Sequence, residues 1–213
     1  MKNIKENWGI IGHQNIINFL ENSLARNKLA HAYLFYGLNH LGKTTVALKF
    51  AQKLLGESIG INPDLFELQL LEDHKEIKID QVREWRHFLC LKTYAGHYKV
   101  GIIHQAEYLN EESANALLKT IEEPSSKTII ILITSAWQQL LPTIISRSQK
   151  IHFLPVPSKL IEQALKGKIA SQKESKEILA FVQAIRENTR PVVTALEAVE
   201  ALDIAQKINR MIR

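Results

Sequence analysis

Apolar residues along this chain fall into two alternating rhythms, a helical period near 3.6 and short unbroken runs. Residues 13–26 carry Ile16, Ile17, Leu20, Leu24 and Ala25 at helical spacing until Arg26-Asn27-Lys28 breaks the pattern. Ala32 to Tyr36 is an apolar, aromatic run ending at Gly37, as a buried strand entering a turn would be. From Lys43 the helical period returns, with Val46, Ala47, Phe50, Ala51 and Leu54 on one face. Pro63-Asp64 punctuates a loop, Leu65 to Leu71 reads as a strand, and residues 79–91 place Ile79, Val82, Trp85, Arg86 and Leu89 along a helix. Tyr98 to Ile103 is the next strand. Asn110 is placed to cap a helix holding Ala114, Leu117, Leu118 and Ile121, which Pro124 ends. Thr128 to Thr134 is the most β-branched run of the chain and hence a strand, a helix is expected over about 138–147, and Lys150 to Leu154 forms a last short strand.

Strands separated by helices of ten or more residues require crossover connections, so the pattern predicts a parallel sheet covered by helices on both faces. Pro155-Val156-Pro157 fits neither rhythm and marks a linker. No strand pattern follows it. Helices over about 158–170, 173–187 and 191–211 make a small basic bundle, which gives an α/β domain at 1–155 and a helical domain at 156–213.

Composition narrows the class. With 46% hydrophobic and 23% charged residues the chain can bury a core, which excludes a disordered polyelectrolyte. Its net charge of +5 permits contact with a polyanion, and the basic excess sits in the first 60 residues and after residue 157. One cysteine, Cys90, cannot form an internal disulfide or a cysteine-based metal site, so a reducing compartment and a buried inert thiol are expected. The polar start, Met1 to Asn7, lacks an apolar leader run, and no apolar stretch is long enough to span a bilayer. A soluble, cytoplasmic protein follows.

The strongest chemical signal is Gly37-Leu-Asn-His-Leu-Gly42-Lys43-Thr44, a complete G-x-x-x-x-G-K-[ST] between a predicted strand and a predicted helix. Gly37 and Gly42 let the backbone curl so that its N–H groups and the helix start face a phosphate chain. Lys43 would neutralise phosphate oxygens and the Thr44 hydroxyl would hold Mg²⁺; Asn39 and Thr45 complete the nucleotide-facing set. An acid is expected at the end of the strand Lys99 to Ile103, but His104-Gln105 stands there. Glu107 comes three residues later, which in an extended segment lies well beyond the strand end. ATP or ADP binding that depends little on Mg²⁺ is therefore expected. His-rich metal spacing is absent from the sequence.

Four blocks resemble the clamp-loader subunits of the AAA+ class: Ile10-Ile-Gly-His-Gln14, Leu29 to Phe35, Asn115-Ala-Leu-Leu-Lys-Thr-Ile-Glu-Glu-Pro124, and Leu141-Pro-Thr-Ile-Ile-Ser-Arg-Ser-Gln149. Within that class the chain is similar to the delta-prime subunits of bacterial DNA polymerase III more than to the ATP-hydrolysing gamma/tau subunits. His104-Gln105 replaces the motor's acidic pair, the four-cysteine zinc module is missing, so no zinc is expected, and Ser146-Arg147-Ser148 stands where the family writes Ser-Arg-Cys.

The resemblance implies a stator that supports ATP-dependent loading of the sliding clamp onto primed DNA, beside gamma/tau and delta-type subunits. Arg147 would act as a finger on a neighbour's γ-phosphate; read without the resemblance, it is a surface arginine capping its helix. Thr134 would be the first phosphate sensor and Arg190 the second, or a strand residue and a solvated charge at a helix start respectively. The rival readings are an autonomous ATPase and a nucleotide-binding adaptor outside any loader. The family continues for about one further domain as a helical collar, whereas this sequence ends at Arg213, through either truncation or a short natural form, and the chain alone is expected to be a monomer.

Overall fold

The computed structural model describes residues 8–56, 62–94, 98–124, 127–161 and 163–164. Five strands, β1 (Ala32–Tyr36), β2 (Leu65–Leu68), β3 (Lys99–Ile103), β4 (Thr128–Thr134) and β5 (Gln149–His152), pair in the order β2-β3-β4-β1-β5. Every pairing is parallel. Parallel strands buried on both faces read as continuous apolar runs, and all seven residues of β4 are buried.

Alternation along the strands sorts side chains between two cores. Tyr33 and Phe35 of β1 join Ile129, Ile131 and Ile133 of β4 under α1 (Gln14–Ala25) and α2 (Lys43–Leu55), through Ile17, Leu20, Val46 and Phe50. Ala32, Leu34, Ile130 and Leu132 face the other way. There they meet Val82 and Trp85 of α3 (Ile79–Cys90), Leu117 and Ile121 of α4 (Glu111–Glu122) and Ile144 of α5 (Pro142–Arg147). The predicted layered α/β architecture is present.

Local chemistry sets several boundaries. Asn110 accepts the Ser113 N–H at 2.9 Å, and Glu111 and Glu112 place negative charge in the first turn of α4. The helix expected over 138–147 is instead a short 3₁₀ turn, Trp137–Gln139, followed by α5 from Pro142. Proline disfavours helical backbone at the preceding Leu141, and it suits the first helical position itself. Strand β2 ends at Leu68 rather than Leu71, because its partner β3 ends opposite it at Ile103.

A Cβ added at Gly101 would strike the Trp85 indole, which is fully buried and donates to the Phe66 carbonyl at 3.3 Å. At the amino-terminal end of the sheet Lys99 Nζ lies 3.2 Å from Asp64 and 4.0 Å from the Phe88 ring centroid. Cys90, expected to be buried, is exposed. It is the last residue of α3, one step past the buried Leu89.

The chain divides into two compact units, residues 1–155 and 156–213. The second is helical from residue 158 to 161, where the Leu160 N–H reaches the Pro157 carbonyl at 2.9 Å. Most of the bundle predicted from the sequence, Arg190 included, lies outside the described residues. Among the described residues no helix is long and apolar enough to cross a membrane.

Candidate functional site

The outgoing connections of the adjacent strands β1 and β4 run to opposite faces of the sheet, β1 through α2 and β4 through α5. Such a divergence opens a crevice at the carboxyl ends of the strands. The Gly37–Thr44 loop fills its β1 side. Gly37 has φ +145°, and a side chain there would collide with the Phe153 carbonyl, so only glycine fits. Gly42 takes φ +83° as the N-cap of α2.

Lys43 is buried, and its ammonium donates to the carbonyls of Gly37 at 2.7 Å and Leu38 at 2.5 Å. The loop is thus held closed around the ammonium. Burial pushes Lys43 below the usual lysine range, and the nearby Glu107 charge pulls it partly back. Asn39, Thr44 and Thr45 are exposed. A residue outside the loop steadies it. His13, itself at φ 55°, donates from Nε2 to the Leu41 carbonyl at 2.7 Å and sets its ring edge-on against Phe153. The only sequence signal that points to His13 is its place in the Ile10–Gln14 block.

On the β3 side the expected acid is indeed missing. His104 Nε2 pairs with Glu67 at 2.9 Å, and Gln105 is exposed with φ 50°. That left-handed residue redirects the chain. It turns the chain into a 3₁₀ turn, Ala106–Tyr108, which brings Glu107 back over the end of β4 rather than beyond the strand. Glu107 Oε1 accepts from the Ser135 N–H at 3.1 Å and the Ser135 hydroxyl at 2.5 Å. Its Oε2 is buried with no hydrogen-bond partner among the described residues. Burial pushes this carboxyl up, but the Ser135 donors, its own backbone N–H and, more weakly, the Thr134 hydroxyl outweigh burial and hold it below the usual glutamate range.

Thr134 ends β4 directly beside Tyr36, the residue before the loop, and its hydroxyl accepts from the Ala136 N–H at 3.1 Å. Arg147 closes α5. Its Nη2 lies 3.1 Å from Glu122 Oε1, with both side chains 44% exposed, and its Nη1 makes a long 3.5 Å contact with the Thr143 carbonyl one turn back. Ser148 is buried and its hydroxyl donates to the Ile144 carbonyl at 2.8 Å. Among the described residues no group of three or more His, Cys, Asp or Glu could hold a metal by itself.

The family described as DNA polymerase III, delta subunit, matches residues 12–157, from the His13 region through β5. The chain belongs to that family. It is therefore a clamp-loader relative with the AAA+ P-loop fold. The DNA polymerase III subunit delta' of Pseudomonas aeruginosa is 40% identical over 139 residues, 57% of this chain and 42% of that protein. The Bacillus subtilis subunit delta' is 35% identical over 166 residues, 70% of this chain and 50% of that protein. The chain spans half or less of the length of these two relatives. A solved Thermotoga maritima protein related to the DNA polymerase III gamma subunit shares the fold with a TM-score of 0.58 at 23% identity, over 78% of this chain and 57% of that one.

Proposed function

We propose that this chain is a delta-prime-like stator of a replicative clamp loader, within the cytoplasmic DNA polymerase III holoenzyme. In it the 1–155 unit binds nucleotide without turning it over, and residues 156–213 serve as the helical lid. The observation that carries this reading is the split character of the site. The phosphate loop is fully formed, yet the strand-end positions of a motor's acids hold a His104–Glu67 pair and an exposed Gln105. A hydrolytic site needs a group there to orient the attacking water.

In this reading the Gly37–Gly42 backbone and the start of α2 receive the phosphates of ATP or ADP, and Lys43 exchanges the Gly37 and Leu38 carbonyls for phosphate oxygens. Asn39, Thr44 and Thr45 line the approach, Thr134 senses the terminal phosphate, and Arg190 serves as the second sensor. A bound Mg²⁺ would shield phosphate charge. The residues present fit one, since Thr44 is exposed and Glu107 Oε2 has no hydrogen-bond partner among the described residues. The outward function belongs to Arg147. A guanidinium is permanently charged and planar, so presented to a neighbouring gamma/tau-type subunit it would stabilise the charge developing on that subunit's γ-phosphate. Its half-exposed ion pair with Glu122 is weak enough to exchange. Delta-type and gamma/tau-type subunits, the sliding clamp and primed DNA are the implied partners.

The test is reconstitution of the full-length native protein with gamma/tau-type and delta-type subunits, sliding clamp and primed DNA. Arg147→Ala is expected to assemble normally, to change the stability of this chain by less than ~1 kcal/mol, and to lower stimulated ATP turnover at least tenfold, or ~1.4 kcal/mol of transition-state stabilisation. Lys43→Ala should lower turnover much less. The opposite ranking would make this chain a motor. The return of Glu107 to the site favours that second reading, an autonomous ATPase, and steady-state hydrolysis by the chain alone separates the two.

A further inference from the structure

The phosphate site contains one group that neither the loop motif nor the missing strand-end acids account for. Glu107 holds the end of β4 mainly through Oε1, which takes both the Ser135 N–H and the Ser135 hydroxyl, with a weaker contribution from the Thr134 hydroxyl to the carboxyl. A structural latch requires nothing more. Oε2 is nevertheless buried and has no hydrogen-bond partner among the described residues. Leaving a buried charged acceptor unsatisfied is costly, and such an atom in a folded protein calls for an ion or water. Its electrostatic surroundings also point toward the loop, because the Glu107 charge acts on the Lys43 ammonium. Thr44, the other residue type that P-loop sites offer to a metal, is exposed at the next position.

We infer that Glu107, carried back over the β4 end by the left-handed turn at Gln105, supplies the carboxylate that holds Mg²⁺ against the phosphates of a nucleoside triphosphate in this chain. The inference rests on the nucleotide-binding reading above. Mg²⁺ keeps several waters and needs only one or two protein carboxylates beside the phosphates, so one glutamate and the Thr44 hydroxyl suffice. The neighbouring candidates are committed elsewhere or uncharged: His104 faces Glu67, and Gln105 carries no charge. The sequence, which places Glu107 beyond the strand, predicts little dependence on Mg²⁺. With Glu107 returned to the end of β4, the inference predicts the opposite.

The sign of the effect distinguishes this role from a structural one. Without metal, a carboxylate beside the phosphates repels them; with metal, it binds them through the cation. Glu107→Gln keeps an oxygen to accept from Ser135 and removes the charge. Calorimetric titration of the whole chain with a non-hydrolysable ATP analogue, in EDTA and in Mg²⁺, should show wild-type affinity rising at least tenfold with metal, about 1.4 kcal/mol. E107Q should bind more tightly than wild type in EDTA and lose most of the metal-dependent gain. Electron paramagnetic resonance of Mn²⁺ with the same analogue should show a protein-perturbed spectrum in wild type that reverts in E107Q toward the metal–nucleotide complex free in solution. Melting curves establish that E107Q is folded, and the wild-type comparison stands without the variant. No metal-dependent gain in wild type, or an equal gain in E107Q, overturns the inference. Absence of binding in both buffers overturns the nucleotide-binding reading itself, and Lys43→Ala, which should abolish binding in EDTA, checks that reading separately.

Discussion

Replacing Asp64 by Asn tests how much of the stability of the sheet rests on one charge at the end remote from the phosphate loop. The Lys99 and Asp64 side chains are 5% and 2% exposed, so their pairing is a buried one, unlike the half-exposed Arg147–Glu122 pair. Asp64 also accepts the Tyr94 N–H through both oxygens, at 2.8 and 3.0 Å. Breaking a buried ion pair from one side typically costs ~3–5 kcal/mol, because the remaining charge stays in a low-dielectric site. Two features reduce that figure here. An asparagine keeps one oxygen for Tyr94, and the Phe88 ring 4.0 Å from Nζ goes on stabilising the ammonium by ~1–2 kcal/mol. The expected loss is therefore about 2–3 kcal/mol, and at ~2–4 °C per kcal/mol for a chain of this size the melting temperature should fall by about 5–10 °C. Asp64→Asn combined with Lys99→Met removes both charges and should recover the wild-type value to within ~1 kcal/mol, since buried pairs are often no better than apolar residues of similar volume. Urea unfolding of wild type, both single variants and the double variant gives the coupling directly. A single-variant loss below ~1 kcal/mol, or a double variant no more stable than D64N, would refute the reasoning.

Gly101→Ala should destabilise the sheet by at least the ~1–3 kcal/mol of an overpacked core, because the new Cβ meets the buried Trp85 indole and β3 is paired on both edges; a melting temperature equal to wild type would contradict it. The Glu107 carboxyl is held below its unfolded pKa, so its hydrogen bonds stabilise the fold fully above that unfolded value and the contribution is lost as pH falls through the folded one. The stability difference between wild type and E107Q should accordingly shrink below about pH 4, and a difference that stays constant or grows in acid would show that the carboxylate gains nothing from folding.

Strands β1, β3 and β4 were legible in the sequence because burial on both faces leaves unbroken apolar runs. The loop of Gly37–Thr44 was legible because its geometry imposes residue types locally. What escaped the sequence depends on chain reversal. Gln105 adopts φ 50° without being glycine, and the Glu107–Ser135 contact it creates joins residues 28 apart. Neither leaves a periodic trace. The anchoring of Leu41 by His13 likewise spans 28 positions and depends on where α1 begins in space. The split before α5 was written in Leu141-Pro142 and was missed because the apolar spacing of Leu140, Ile144 and Ile145 resembles a continuous helix. For Arg147, the sequence supplied the residue and the structure adds its exposure and the Glu122 contact.

The strand order also bears on how the chain is made. Strand β1 leaves the ribosome well before both of its neighbours, since β4 and β5 lie about a hundred residues further along. Until they are synthesised, the apolar segment Ala32–Tyr36 has two open edges and no partner, and β2 and β3 cannot supply one. Long-range parallel pairing of this kind is slow, and exposed apolar edges invite aggregation. The nascent chain should therefore stay susceptible to protease and dependent on chaperones until β4 has cleared the exit tunnel. The phosphate loop, although encoded well ahead of β4, would be among the last parts of the domain to become rigid.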